Sequence, residues 1–167
     1  DTLVVVGISF AGAVGHAFGG GSTSGSFVAR STDDGETWTT FAFPGKTEVQ
    51  TGVLTVDAST VIVTTDQGIW RSTDACAHFD KVHDGRIPGA GPRDKIWMFG
   101  QVGYTYNFLK TVDGGTTWKP TKTPEVAANH LSMAVDWADA NNGLVAQSTT
   151  GTGASDVEGR FWRTTDG

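Results

Sequence analysis

The sequence predicts an all-β repeat fold, and three observations lead there. An eight-residue phrase, Ser31-Thr32-Asp33-Asp34-Gly35-Glu36-Thr37-Trp38, returns as Thr111-Val112-Asp113-Gly114-Gly115-Thr116-Thr117-Trp118. A worn copy, Ser72-Thr73-Asp74-Ala75-Cys76-Ala77-His78-Phe79, lies between them, and a fourth opens at Thr164-Thr165-Asp166-Gly167. The four aspartates stand 41, 39 and 53 residues apart, the mark of one small unit built several times. The stretches between them are short apolar or alternating runs bounded by glycine, without helical periodicity. Glycine makes up 23 of the 167 residues, as repeated tight turns require.

The phrase itself predicts a turn. Ser or Thr before the aspartate ends a strand, the carboxylate accepts backbone N–H groups, and the glycine takes backbone angles that other residues avoid. Thr-Trp then starts the returning strand, with the indole placed to pack between neighbouring sheets. Burying a tryptophan removes roughly 150–250 Å² from water. That is an upper bound of about 4–6 kcal/mol per repeat at ~25 cal/mol per Å². The copy at 72–79 lacks the glycine and carries Phe79 for tryptophan, so its turn is expected to be looser.

Strand signals fill each interval in order. Leu3 to Phe10, Ala13 to Gly19 and Phe27 to Ser31 come first, followed by the strand that Thr37-Trp38 begins. Val53 to Val56, Val61 to Thr65, Gly68 to Ser72 and Phe79 to Val82 make a second set. Lys95 to Gln101, Asn107 to Thr111 and Trp118 to Thr121 make a third, with a weak first strand expected within 84–92. Leu131 to Trp137, Gly143 to Gln147 and Arg160 to Thr164 open a fourth. About four strands per ~40 residues is the pattern of a β-propeller blade. The expected architecture is therefore a propeller segment of four-stranded antiparallel blades, near 1–43, 44–83, 84–122 and 123–167. Three are complete and the fourth lacks its last strand. Since propellers close with roughly four to eight blades, this length corresponds to about half a ring. Further blades of the same polypeptide, or self-assembly, would then complete it.

The repeated phrase resembles the Asp-box (BNR) repeat of sialidases, sortilin-type receptors and photosystem-assembly propellers; 31–38 and 111–118 both match S/T-x-D-x-G-x-T-W. The resemblance implies a structural role for Ser31, Asp33, Gly35, Thr37, Trp38, Asp74, Asp113, Gly115, Thr117, Trp118 and Asp166. The segments Asp136 to Ala146 and Phe161 to Gly167 resemble the assembly-factor branch of that family.

Composition narrows the function classes. A net charge of −6 and a pI near 5.0 argue against nucleic acid or an anionic membrane surface as partner. No apolar run approaches the ~18 residues of a membrane span. Cys76 is the sole cysteine, so no internal disulfide forms. His16, His78, His83 and His130 show no metal-ligand spacing, and no cofactor or metal is expected. The family resemblance implies an extracellular or periplasmic location.

Blade topology tells where binding belongs. Asp boxes join strand three to strand four, so the strand two-to-three loops and the blade-to-blade links lie on the opposite face. That face collects Gly19 to Ser26, Phe43 to Glu48, His83 to Asp94, Pro120 to His130 and Thr149 to Gly159. Loops on a rigid scaffold are where binding residues concentrate. Candidates there are Arg86, Arg93, Asp94, Trp97, Tyr104, Glu125 and His130, facing a protein or glycan partner.

Two functions remain open at this point. The first is a non-catalytic binding or assembly propeller. The alternative is part of a secreted glycoside hydrolase of sialidase or xyloglucanase type. Arg86-Ile87-Pro88 matches the Arg-Ile-Pro motif of sialidases, whose arginine pairs with a substrate carboxylate. In that family the motif precedes the first Asp box, whereas here it follows the second. Arg30, Arg71, Arg93, Arg160 and Arg163 are the further arginines on offer, but Tyr104 and Tyr106 have no adjacent glutamate. A paired-carboxylate mechanism would need two of Glu48, Asp94 and Glu125 to meet about 5–10 Å apart.

Overall fold

The computed structural model describes residues 4–21, 25–44, 50–85, 95–106, 108–122, 130–150 and 157–167. All of its regular elements are strands. The first sheet runs β1 (Val4–Ala11), β2 (Val14–Gly21), β3 (Gly25–Ser31) and β4 (Thr39–Ala42), paired antiparallel in chain order. The second repeats this with β5 (Gln50–Thr55), β6 (Val61–Thr65), β7 (Gly68–Ser72) and β8 (Asp80–Asp84). The third is β9 (Ile96–Phe99), β10 (Val102–Thr105), β11 (Leu109–Thr111) and β12 (Lys119–Pro120). The fourth holds β13 (His130–Trp137), β14 (Gly143–Thr150) and β15 (Val157–Thr164). The chain is thus a β-propeller segment, with three complete four-stranded blades and most of a fourth.

Three sandwiched cores hold the sheets together, each fed by strands whose side chains alternate between two faces. Phe18 and Val28 of the first sheet meet Val61, Val63 and Cys76 of the second. Ile62 and Ile69 of the second sheet's other face meet Leu109 and Trp118 of the third. Tyr106 and Phe108 meet Val135 and Val145 of the fourth. The second and third blades therefore use their turn aromatics against the blade before: Phe79 against the first, Trp118 against the second.

Three expectations are corrected. Lys95 to Gln101 is not one strand: β9 ends at Phe99, a turn occupies Gly100 and Gln101, and β10 follows. Among the described residues the third sheet reaches four strands this way, with β9 at its start, where a weak first strand is expected from sequence within 84–92. Residues 86–92 themselves lie outside the described residues. Phe43, assigned to the loop face, is 7% exposed and centres an aromatic cluster with Phe18, Trp70 and Phe79 at centroid distances of 5.0, 5.2 and 5.3 Å. A link residue is thereby drawn into the core because three rings pack edge-to-face around it.

Candidate functional site

The recurring turn is built the same way each time. Ser31, Ser72 and Thr111 are buried, and each hydroxyl donates to the following aspartate at 2.7–2.9 Å. The same oxygen accepts the backbone N–H of Gly35, Cys76 or Gly115 at 2.9–3.0 Å. The carboxylate then accepts the backbone N–H of Thr37, His78 or Thr117, each at 2.9 Å. These bonds favour the charged form and hold Asp33, Asp74 and Asp113 at a pKa of about 2. Such acids are bound to their own turns and stay ionised, the wrong state for proton donation. Trp38 and Trp118 each donate the indole N–H back to the turn carbonyl of Gly35 and Gly115, at 2.9 and 3.1 Å.

The worn copy is as tight as the others, which corrects the looser turn expected from sequence. Ala75 and Cys76 take φ of 59° and 75°, matching Asp34 and Gly35 at 57° and 90° and Gly114 and Gly115 at 67° and 83°. Cys76 accepts a left-handed backbone without being glycine because its side chain is seated in the first core.

A second repeated bond ties each turn to the first hairpin of its own blade. The N–H after the aspartate donates to a hairpin carbonyl four times: Asp34 to Ala13, Ala75 to Ser59, Gly114 to Gln101 and Gly167 to Asn141, at 2.9–3.1 Å. The aspartate turns and first hairpins consequently share one face, and the other connections share the opposite one.

The candidate binding residues fall in three places. Arg86, Arg93, Asp94 and Glu125 lie outside the described residues. His130 opens β13, its backbone paired with Thr149. Tyr104 sits inside β10 rather than on a loop, a correction with a packing cause, and Trp97 lies in β9, within the strand expected over Lys95 to Gln101. Tyr104 is fully buried, stacked on Trp137 at 3.5 Å and 5°, with its hydroxyl donating to the Ala140 carbonyl at 2.6 Å. Trp97 donates its indole N–H to Asp136 at 3.0 Å, also across the third-to-fourth junction. Both are consumed in joining two sheets.

Two open concavities lie on the fourth sheet. One cleft of about 230 Å³ is walled by Phe108, Lys122, Trp137, Val145 and Trp162. A second, of about 610 Å³, is lined by Asp136, Asp139, Asn142, Leu144 and Arg163. Asp139 is engaged with its own turn, accepting N–H groups of Asn141 and Asn142, which lowers its pKa. Among the described residues no three His, Cys, Asp or Glu side chains gather as a metal site. Sequence reasoning had not placed these clefts. The available signal was the basic residue preceding every turn: Arg30, Arg71, Lys110 and Arg163.

Comparison with solved structures agrees with this architecture. The chain superposes on a structure described as YCF48 bound to D1 peptide with a TM-score of 0.56 at 14% identity, covering 96% of this chain and 53% of that one. It superposes on YCF48 from Cyanidioschyzon merolae with a TM-score of 0.51 at 15% identity, covering 95% and 56%. The likeness is one of fold. The chain spans about half the length of these structures. No family model matches the chain, and no curated protein does.

Proposed function

We propose that this chain is a non-catalytic binding or assembly propeller of Asp-box type. It acts outside the cytoplasm and takes an extended protein segment on the face opposite the aspartate turns. The observation that carries this reading is the state of the turn carboxylates. Asp33, Asp74 and Asp113 are saturated with their own turn's donors and held near pKa 2, so they brace the scaffold and do no proton transfer. A protein partner is supported by the likeness in fold to a structure described with a bound peptide. Rigid sheets with short turns on one face leave the other to vary, which suits recognition.

The test has two arms. The purified chain is titrated with peptides selected against it from a random display library, and is assayed with a fluorogenic sialoside and with xyloglucan. Peptide binding that survives Asp113→Ala in folded protein, without hydrolysis, is the expected result. Turnover of either glycoside, or selective loss of binding in folded Asp113→Ala, overturns the reading.

A further inference from the structure

One position on the second strand of each sheet is filled differently at each junction. His16 on β2, Ile62 on β6 and Tyr104 on β10 are all fully buried. Each stands directly opposite the basic residue that precedes its turn: Arg30, Arg71 and Lys110. Those basic residues reach forward to carbonyls of the following sheet, Arg30 to Ala58 at 2.8 Å, Arg71 to Gly114 at 3.0 Å and Lys110 to Gly167 at 3.0 Å. Ile62 belongs to the apolar core of its junction, and the Tyr104 ring lies 5.3 Å from the Lys110 ammonium, a cation–π contact. Of the three, only the first junction sets an imidazole against a guanidinium.

The tautomer of that imidazole follows from its neighbours. Thr55 Oγ1 gives its one hydrogen to the Ser9 carbonyl at 2.7 Å, so towards His16 Nδ1, at 3.0 Å, it can only accept. Nδ1 therefore carries the proton. Nε2 is a bare lone pair, buried and without a partner among protein atoms, as is the Arg30 Nε–H. A second proton would go onto Nε2. The charged groups that bear on it are Arg30 from β3 and Asp57 from the turn after β5. The Asp57 carboxylate accepts the N–H groups of Ser59 and Thr60, each at 2.8 Å, which lower its pKa and keep it charged while histidine titrates. Burial, with the Arg30 charge behind it, outweighs that carboxylate and holds His16 at a pKa of about 4.

We infer that protonation of His16 parts the first sheet from the second while the other two junctions stay closed. An imidazolium at this place is buried beside a fixed cation, and only water relieves it. Separating these two sheets brings it to water, releases Arg30 from Ala58 and uncovers Phe18, Val28, Val61, Val63 and Cys76. Among the described residues the other buried ionisable side chains are Cys76, Tyr104 and Tyr106, types that are neutral throughout the acid range. No buried group of the second and third junctions therefore gains charge as pH falls, and acid does not favour their opening. The response to acid is confined to one seam by one residue choice, histidine where the other sheets place isoleucine and tyrosine.

Cys76, in the core of that seam, is the reporter. Its labelling by dithiodipyridine, a reagent active in acid, is compared with that of the urea-unfolded chain at each pH to give a protection factor. Between pH 7.5 and 4.5 this factor is expected to fall about 70-fold, the ratio that the two His16 pKa values set for an opening that brings the ring to water. In His16→Gln it is expected to stay constant, and His16→Phe replaces that variant if circular dichroism shows it unfolded. Amide hydrogen exchange, corrected for its intrinsic pH dependence, is expected to show β10 and β14 equally protected at both pH values. An unchanged Cys76 protection factor in the parent chain overturns the proposal, as does the same fall in the His16 variant. Loss of protection in β10 and β14 together with Cys76 also overturns it, since the whole chain then unfolds rather than one junction.

Discussion

Asp74 and His78 meet at 2.6 Å, Oδ2 to Nδ1, where the intact turns place a threonine hydroxyl on the corresponding carboxylate oxygen. An imidazole thus replaces Thr37 and Thr117, and the turn keeps its shape. His78→Thr is therefore expected to leave the thermal midpoint unchanged, and His78→Ala to lower it slightly, since the pair is solvent-exposed. A midpoint indifferent to both would show that the backbone bonds alone hold this turn.

The buried hydroxyl at the head of each turn matters more. Thr111 Oγ1, itself buried, accepts the N–H of buried Gly115 at 3.0 Å and donates to the half-exposed Asp113. Thr111→Val leaves that N–H buried without a partner, a loss of about 1–3 kcal/mol in urea unfolding. Asp113→Ala strips the same turn from its other side and shifts stability in the same direction.

Acid is expected to weaken the fold in two stages. His16 is fully buried, and burial first, then the Arg30 charge, lowers its pKa from 6.5 to about 4. Between those values the unfolded chain binds a proton that the native one refuses, so stability falls as pH drops from about 6.5 towards 4. The whole loss is on the order of 3 kcal/mol. Below that, the turn aspartates contribute: held near 2 in the native state, they lose their stabilising bonds as pH falls from the ordinary carboxylate range towards 2. Urea midpoints from pH 7.5 to 4 measure the first stage, and His16→Gln should flatten it.

Cys76 is expected to be chemically quiet. It is 2% exposed, and burial pushes its thiol up to about 11, so a disulfide reagent at pH 8 should react only once the chain is unfolded. Its φ of 75° makes the residue choice narrow. Cys76→Val should cost on the order of 2 kcal/mol, because a β-branched side chain is strained in the left-handed region. Cys76→Gly should be milder, restoring the residue of the two intact turns while giving up a core contact. Comparing the two unfolding midpoints checks this.

The spacing of four aspartates and the short runs between them were enough, as sequence, to specify sheets of antiparallel strands with a bonded turn between the third and fourth. Such information is local: a Ser or Thr, an aspartate two residues on and a glycine two further close their bonds within a few residues. Only the tertiary structure decided what depends on the neighbouring sheet. It drew Phe43 into a four-ring cluster, buried Tyr104 against Trp137, and let Cys76 keep a glycine's backbone angles because a core surrounds it. Arg71 and Lys110 find backbone carbonyls 43 and 57 residues away, and a carbonyl acceptor leaves no trace in residue identity. The turn was legible because its chemistry is sequential; the junctions were not, because theirs is made across space.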